Sequence, residues 1–275
     1  MTNSKDAEGL AWQVGVWDRM APVYAQEVDQ RFIPVVDQVL LRAKVQPGQD
    51  VLDLGTGTGA VALRVARLVG AGKVVAVDVS PEMLRVTKMR AEAAGLTNVS
   101  FNEGRAESLP VDNASTDVII ASLSLMYVID RPSAAREVAR VLRPDGRLVA
   151  AVWAGPDQCD IVKFQQTAGS FAPPPPVPGV GPGAMADTRP FLDALNAAGL
   201  KARVETEALG FTFDTFESAW DVLTGVTTAS LTSERREEAK AAVRAAMWPA
   251  EARGPRYFRN VTQFIVAERP NARSR

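Results

Sequence analysis

Short apolar runs alternate with amphipathic patterns between residues 51 and 153. Runs such as VLDL place apolar residues on both faces of a strand, which is typical of strands buried in a parallel sheet. Between these runs, apolar residues recur every three or four positions, which predicts helices. The predicted strands are 51–54, 73–79, 99–101, 116–122 and 147–153, and the predicted helices are 59–69, 81–95 and, with its turn, 131–146. The alternation predicts an α/β fold with a doubly wound, Rossmann-like, mostly parallel sheet of seven strands and a helical cap or lid.

Residues outside this region supply the remaining elements. A helical pattern runs up to residue 45 and is broken near Pro34. The C-terminal part contains a helix, a strand, an exposed amphipathic helix and a last strand, at 188–199, 201–213, 233–247 and 262–270. We predict lid helices in 1–45, a ligand-binding core in 46–155, and in 156–275 the last core strands with a substrate cap inserted at about 156–187 and 214–260.

The stretch FAPPPPVPGVGPGAM, residues 171–185, is rich in proline and glycine. Such a composition predicts an extended connector. Two interpretations stay open at this point, a disordered linker and an ordered loop that lies over a pocket.

Composition limits the possible partners. The 275 residues carry 31 basic and 32 acidic side chains, so no basic excess points to nucleic acid or an anionic membrane. The chain has no histidine, and Cys159 is its one cysteine, so we expect no metal site and no intrachain disulfide. No signal-peptide pattern and no bilayer-length apolar run occur, so we expect a cytoplasmic protein, monomeric or homodimeric, that acts on a small molecule.

The stretch VLDLGTGTGA, residues 51–60, places three glycines directly after a strand. Glycine lets a ligand approach the backbone closely, and the following helix start offers NH groups. Dinucleotide enzymes use a similar turn, and Asp78 at the end of the next strand is placed to bind ribose hydroxyls in either cofactor class. Asp53 disfavours a dinucleotide, because its charge would repel a nearby pyrophosphate, and favours a cofactor that carries positive charge.

The D-x-G-x-G-x-G pattern that begins at Asp53 resembles motif I of the class I S-adenosylmethionine-dependent methyltransferases. The segments at 79–84, 104–122 and 142–153 resemble the motifs that follow it in that family. The ESLP and LRPDG sequences are similar to those of the small-molecule branch with ubiquinone/menaquinone-type (type 11) methyltransferases. The resemblance implies S-adenosylmethionine as cofactor and S-adenosylhomocysteine as product. It also implies cofactor contacts from Asp53, Gly55, Thr56, Gly57, Gly59, Asp78, Val79, Met83, Arg105, Ala106, Glu107 and Ser122.

Several of these residues also have an ordinary structural interpretation. Asp53 could form a structural ion pair with a lysine or arginine, and Met83 could fill the core on the first turn of its helix. Many family members carry Asp-Ala where this chain has Arg105-Ala106. The backbone NH of Ala106 remains available for the adenine, whereas Arg105 either stacks on the ring or faces solvent.

The family resemblance also implies where a substrate lies. Insertions between the last strands commonly form a cap, and residues 11–27 resemble a mobile lid in which Trp17 and Tyr24 close over the cofactor. Candidate pocket residues, each of which could equally be ordinary core, are Tyr24, Leu125, Met126, Trp153, Phe171 and Phe213.

No catalytic residue is assigned from the sequence. Without histidine, the nucleophile either ionises by itself or loses a proton to a carboxylate, a tyrosine or water. The resemblance implies in-line methyl transfer, and we predict that the acceptor is an O, C or N atom of a small, largely apolar molecule. One alternative is a related protein that binds the cofactor but catalyses a cyclisation or rearrangement, or no reaction. The second is an NAD(P)-dependent oxidoreductase. Methylation of nucleic acid or protein is disfavoured by the balanced charge and by the absence of an NPPY-type motif after the fourth strand.

Overall fold

One sheet organises the part of the chain that the structure, a computed structural model, describes: residues 4–224, 228, 231–248 and 254–271. In these ranges the strand order is β3-β2-β1-β4-β5-β7-β6. The first five strands in this order, from β3 to β5, run parallel to one another, and β7 runs antiparallel to both β5 and β6. The strands are β1 (Val51–Leu54), β2 (Val74–Asp78), β3 (Val99–Glu103), β4 (Thr116–Ser122), β5 (Leu142–Trp153), β6 (Lys201–Phe213) and β7 (Arg256–Glu268).

Helices connect the strands and cover the sheet. Three precede β1: α1 (Ser4–Val23), followed by a π-helical turn (Tyr24–Val28), α2 (Asp29–Arg31) and α3 (Ile33–Ala43). The later ones are α4 (Ala62–Val69), α5 (Pro81–Ala93), a 3₁₀ turn (Leu125–Tyr127), α6 (Arg131–Val141), α7 (Asp160–Gly169), α8 (Arg189–Ala197), α9 (Phe216–Thr224) and α10 (Ser233–Met247).

The buried strands and helix faces follow the sequence pattern. Residues 118–121 of β4 are fully buried, as expected for a central parallel strand that is covered on both faces. Helix α5 begins where the sequence predicts, because Ser80 Oγ accepts a hydrogen bond from Met83 N at 3.1 Å and Pro81 occupies the first helical position. The seven-stranded, mostly parallel architecture predicted from the sequence is confirmed.

Some boundaries differ from the prediction. Helix α4 begins at Ala62 rather than at residue 59, because Gly59 has a φ of 90° and cannot continue a helix. Strand β5 begins at Leu142, since Leu142 already pairs with Thr116, and a register shift separates this pair from those that start at Arg147. Helices α7 and α9 form in the two predicted cap regions without having been assigned from the pattern.

The proline-rich connector is an ordered loop, which decides between the two interpretations. Gly181 N donates a hydrogen bond to Met126 O at 3.0 Å, and the buried Gln263 side chain donates to Met185 O at 3.0 Å. Arg131 also donates to Gly179 O at 2.7 Å. These bonds attach the loop to the sheet and to the segment that follows β4.

The predicted division into lid, core and capped C-terminal part stays a prediction. Its first boundary falls between α3 and β1, and its second falls in the loop after β5. The predicted cap at 214–260 includes residues 225–227, 229–230 and 249–253, and the predicted lid includes residues 1–3, all of which lie outside the described residues. Within the described ranges, no helix has the length and apolarity needed to span a bilayer.

The central sheet should dominate stability. Leu52 in β1 is fully buried, whereas Leu68 in α4 is 51% exposed. We predict that Leu52→Ala lowers the free energy of unfolding by about 2–5 kcal/mol, because it leaves a cavity in the core, and that Leu68→Ala changes it by about 0.5 kcal/mol or less. Urea unfolding of the two variants measures this, and equal losses would contradict the assigned burial.

Candidate active site

The carboxyl ends of β1, β2 and β4 meet at one edge of the sheet, where ligands bind in open α/β sheets. A cavity opens there, which we call the glycine-turn cavity. It brings together most of the residues predicted to contact a cofactor, together with two of the predicted pocket residues. These are Gly55, Gly57, Asp78, Val79, Met83, Arg105, Ala106, Glu107 and Ser122, and Tyr24 and Leu125.

The first turn depends on a close approach between two strand ends. Gly55 has a φ of 73°, and a Cβ atom built on it would lie 2.3 Å from the Cβ of Ser124. Ser124 is fixed there because its Oγ donates a hydrogen bond to Leu54 O at 2.6 Å. Any residue other than glycine at position 55 therefore meets both backbone strain and a steric clash.

The NH groups of this turn bond within the protein, contrary to the expectation that they are available to a ligand. The NH groups of Gly55 and Thr56 donate to Val77 O at 2.8 and 2.9 Å, and Gly57 N donates to Asp78 Oδ2 at 2.8 Å. The glycines therefore provide a surface without side chains rather than a set of donors.

Asp53 lies beneath the turn and does not line the cavity. Its Oδ2 accepts hydrogen bonds from Thr56 Oγ1 at 2.7 Å and from Ala62 N, the first residue of α4, at 2.9 Å. Burial raises the pKa of this carboxyl to about 7, although the two hydrogen bonds act in the opposite direction. No salt bridge of Asp53 occurs among the described residues, because its short side chain holds the turn against α4. Its contact with a cofactor stays a prediction.

Asp78 does line the cavity. Its Oδ2 accepts from Gly57 N, and its Oδ1 accepts from Ser80 N at 3.0 Å. Burial raises its pKa, opposed by these backbone hydrogen bonds. A carboxylate has about four lone-pair positions, so two remain for ligand hydroxyls after the two backbone bonds.

The loop after β3 forms another wall of the cavity. Glu107 Oε1 accepts from Ile129 N at 3.1 Å and from Asp130 N at 3.2 Å, and Arg105 pairs with the same oxygen at 3.2 Å. Arg105 thus borders the cavity rather than facing only solvent, and Glu107 holds the wall in place.

Other predicted contacts divide between the cavity and the core. Met83 is nearly fully buried and also lines the cavity, so both interpretations of this residue apply. Thr56 and Gly59 do not line it. Thr56 Oγ1 is turned inward to Asp53, and Gly59 packs so closely that a Cβ atom on it would lie 2.7 Å from Thr87 Cγ2.

A second, larger cavity of about 850 Å³ adjoins the first, and we call it the aromatic cavity. Its volume is within the range of small-molecule sites. Trp153 lines it as predicted, and so does Tyr24. Edge-to-face contacts join Trp17 to Tyr24 and Phe32 to Trp153, with ring centroids 6.3 and 5.5 Å apart, so aromatic rings follow one another along its wall.

Three predicted pocket residues line neither cavity. Met126 is buried in the 3₁₀ turn, and Phe213 is fully buried against Phe258 with ring centroids 5.2 Å apart. Phe171 lies beside α10, with the Arg235 guanidinium 5.3 Å from its ring centroid. Their apolar side chains are used for packing between elements.

Five residues line both cavities and so form a shared wall: Gln13, Trp17, Tyr24, Leu123 and Tyr127. Gln13 donates from Nε2 to Tyr127 O at 2.9 Å, and the Trp17 ring meets the Tyr127 ring edge-on at 4.8 Å. Burial raises the pKa of both tyrosines, so their phenols are neutral at physiological pH. The shared wall is therefore uncharged.

Polar contacts fix the N-terminal helices over the cavities. Asp18 Oδ1 in α1 accepts from Ser80 Oγ at 2.6 Å, at the start of α5. Asp29 accepts from Thr58 Oγ1 at 2.7 Å and pairs with Arg90 at 2.5 Å. These bonds connect the predicted lid to the glycine turn and to α5.

Comparison with known proteins adds to this geometry. Residues 51–146 match the family model described as a methyltransferase domain. That match covers β1 to the beginning of β5, a range that supplies most of the residues lining the glycine-turn cavity, whereas α1 and the turn after it supply the others. Residues 51–146 are thus similar to a methyltransferase domain.

Individual relatives agree with this assignment. The chain is 39% identical over 134 residues to a nocamycin O-methyltransferase from Saccharothrix syringae, which covers 48% of each chain. It is 39% identical over 114 residues to a ubiquinone/menaquinone biosynthesis C-methyltransferase from Cronobacter sakazakii, covering 41% of this chain and 45% of the relative. The chain thus spans about half the length of the curated relatives it matches. The YcgJ protein from Bacillus subtilis shares the fold, with a TM-score of 0.63, 20% identity, and coverage of 86% of this chain and 98% of that one.

Sequence reasoning did not single out two residues of the shared wall, Gln13 and Leu123. Gln13 lies on a helix that the pattern did not resolve, 114 residues from its partner Tyr127, and carries no motif. Leu123 has a φ of 58°, an uncommon conformation for leucine that often occurs at functional sites. Its position directly after the fourth strand was the one available signal.

The close approach at Gly55 gives a direct test. We predict that Gly55→Ala lowers the free energy of unfolding by about 2–5 kcal/mol, from left-handed strain plus overpacking against Ser124. Gly48→Ala is the matched control, because Gly48 also has a positive φ, 83°, but has open space at its Cβ position. Chemical unfolding should show at least about 1 kcal/mol more loss for Gly55→Ala, and equal losses would contradict the close approach.

Asp53 should make stability depend on pH. Its pKa is higher in the folded than in the unfolded protein, so the folded state binds the extra proton and stability falls as the pH rises. We predict that the stability difference between wild type and Asp53→Asn declines by on the order of 4 kcal/mol between about pH 4 and about pH 7. Urea unfolding of both proteins across this pH range measures the difference in their free energies of unfolding. The contributions of other titrating groups are the same in both proteins and cancel in this difference. A flat difference would show that Asp53 is not desolvated.

Proposed function

We propose that this protein is an S-adenosylmethionine-dependent methyltransferase that methylates a small, largely apolar molecule. The observation that carries the proposal is the adjacency of the two cavities. A cavity built from the glycine turn and Asp78 shares a wall with a larger aromatic cavity. This arrangement allows a cofactor and a second molecule to meet at one uncharged surface.

The residues of the glycine-turn cavity fit this cofactor chemically. Asp78 retains acceptor positions for a pair of ribose hydroxyls. Val79, Met83 and Ala106 offer apolar surface for a flat base, and the glycines leave room for a ligand beside the backbone. When bound, S-adenosylmethionine supplies an electrophilic methyl group on a sulfonium, which is transferred in line to a nucleophile.

The shared wall suits a cationic sulfur. Trp17, Tyr24 and Tyr127 present neutral aromatic rings, which attract cations through their π-systems, and no lysine or arginine belongs to this wall. Asp53 supports this site from below, since its carboxylate is bonded to Thr56 in the turn and to the start of α4.

Catalysis then rests on position rather than on a strong protein base. Tyr24 and Tyr127 are held neutral, and within the described part of the chain no carboxylate lines the aromatic cavity. The protein's contribution is to exclude water and hold the nucleophile at the shared wall. A nucleophile that ionises by itself, or that reacts through a neutral lone pair, fits such a site.

The relatives support a small-molecule acceptor. One is named an O-methyltransferase and another a C-methyltransferase of ubiquinone/menaquinone biosynthesis. The match to a methyltransferase domain over the glycine turn does not favour the dinucleotide alternative. The alternative of cofactor binding with a cyclisation, a rearrangement or no reaction differs in outcome, because it would consume no S-adenosylmethionine.

The decisive first experiment is calorimetric titration with S-adenosylhomocysteine and S-adenosylmethionine, with NAD in parallel. We expect micromolar binding of both sulfur ligands and weakening of about tenfold or more in Asp78→Ala, because a buried carboxylate that bonds hydroxyls is removed. Asp78→Asn keeps one acceptor oxygen and should lose less. Asp193→Ala removes an exposed carboxylate on α8 that lines neither cavity, and should bind as wild type does.

Circular dichroism and unfolding of each variant separate lost binding from lost folding. Binding of NAD without either sulfur ligand would overturn the proposal. Binding of S-adenosylmethionine with no methylated product across a substrate panel would favour the non-methylating alternative.

A further inference from the structure

Among the described residues that line the aromatic cavity, one carries a charged side chain, Arg19 of α1. The neighbouring wall from α1 is otherwise Trp12, Gln13, Val16, Trp17 and Met20. Glutamine apart, these are apolar, and no aspartate or glutamate lines the cavity. The Arg19 guanidinium at the edge of this apolar cavity is therefore the group best able to distinguish anionic from neutral ligands.

Arg19 has no partner within the described part of the chain. No ion pair, hydrogen bond or ring contact involves its side chain there, although most of its nearby acidic neighbours are engaged. Asp18 bonds Ser80, Glu27 pairs with Arg31, and Asp29 pairs with Arg90. These three acids of the N-terminal segment are thus bonded to groups other than Arg19.

The backbone of α1 accommodates the guanidinium. A Cβ atom built on Gly15 would lie 3.3 Å from Arg19 Nη1, so the side chain folds back along the helix over a position without a side chain. Glycine inside a helix costs about 1 kcal/mol relative to alanine. The space that Gly15 leaves for the Arg19 side chain is a physical reason for a glycine at position 15.

We infer, on the basis of the proposed function, that Arg19 is a specificity-determining residue that anchors an anionic group of the substrate. The proposed substrate class is an apolar carboxylic acid. Its apolar part occupies the aromatic cavity, and its carboxylate binds Arg19. Arg19 does not belong to the shared wall, so the anchored group lies apart from the surface where the two cavities meet. A planar guanidinium binds carboxylates through two parallel hydrogen bonds, which a neutral amide cannot match.

Binding without cofactor tests this directly on the full chain. The probes are 4-phenylbutyrate, its neutral amide 4-phenylbutyramide, and the cation 4-phenylbutylamine. Trp12, Trp17 and Trp153 line the cavity, so tryptophan fluorescence reports occupancy. We expect wild type to bind the acid about fivefold or more tightly than the amide, which corresponds to an ion pair that is partly open to water.

Variants assign the preference to one side chain. Arg19→Gln should bind acid and amide equally, and Arg19→Glu should prefer the amine. Arg67→Gln is the matched control, because Arg67 is exposed on α4, has no ion pair among the described residues and lines neither cavity. It should keep the wild-type preference.

Each outcome supports or overturns the assignment. Equal binding of acid and amide by wild type, binding of neither, or a preference that persists in Arg19→Gln overturns it. S-adenosylhomocysteine titration of the same proteins tests the proposed function separately from the role of Arg19, because Arg19 does not line the glycine-turn cavity. If wild type does not bind S-adenosylhomocysteine, the proposed function is wrong. If wild type binds it but does not prefer the acid to the amide, only the role of Arg19 is wrong.

Discussion

The close approach of β1 to the segment after β4 is the constraint on which the site depends. Gly55 leaves no space for a side chain because Ser124 lies directly against it, bonded to Leu54 O. That contact fixes the end of β1 beside the segment that forms the shared wall. Asp53 completes the arrangement from below by tying the turn to the start of α4. Burial of the Asp53 carboxylate is energetically unfavourable, and its two hydrogen bonds offset part of this desolvation penalty.

The aromatic cavity acquires its walls from segments that are far apart in the sequence. Helix α1 reaches across the strand ends, and Asp18, Asp29 and Gln13 attach the N-terminal segment to α5, the glycine turn and the 3₁₀ turn. The proline-rich connector closes the other side and bonds both Met126 and Gln263. The large cavity therefore lies between two covering segments that do not belong to the central strands and that meet where Gly9 of α1 packs against Val177 of the connector.

Charge is distributed according to the proposed chemistry. The carboxylates of Asp53 and Asp78 lie below and beside the glycine turn, the shared wall is neutral, and Arg19 stands alone at the far cavity. Such a site controls reaction through placement and through exclusion of water, since it holds few groups able to accept a proton near neutral pH. The absence of histidine from the sequence agrees with that arrangement.

The sequence by itself determined the central architecture, because hydrophobic periodicity, glycine and proline act locally. Strands, the Ser80 cap and the position of Asp78 at a strand end follow from neighbouring residues alone. Tertiary structure decided what the polar and aromatic side chains do. Asp53 turned inward, Gln13 met a carbonyl 114 residues away, and Phe213 packed in the core while Trp153 lined a cavity. An apolar side chain favours burial against core and cavity alike, so only the contacts between distant segments distinguish the two.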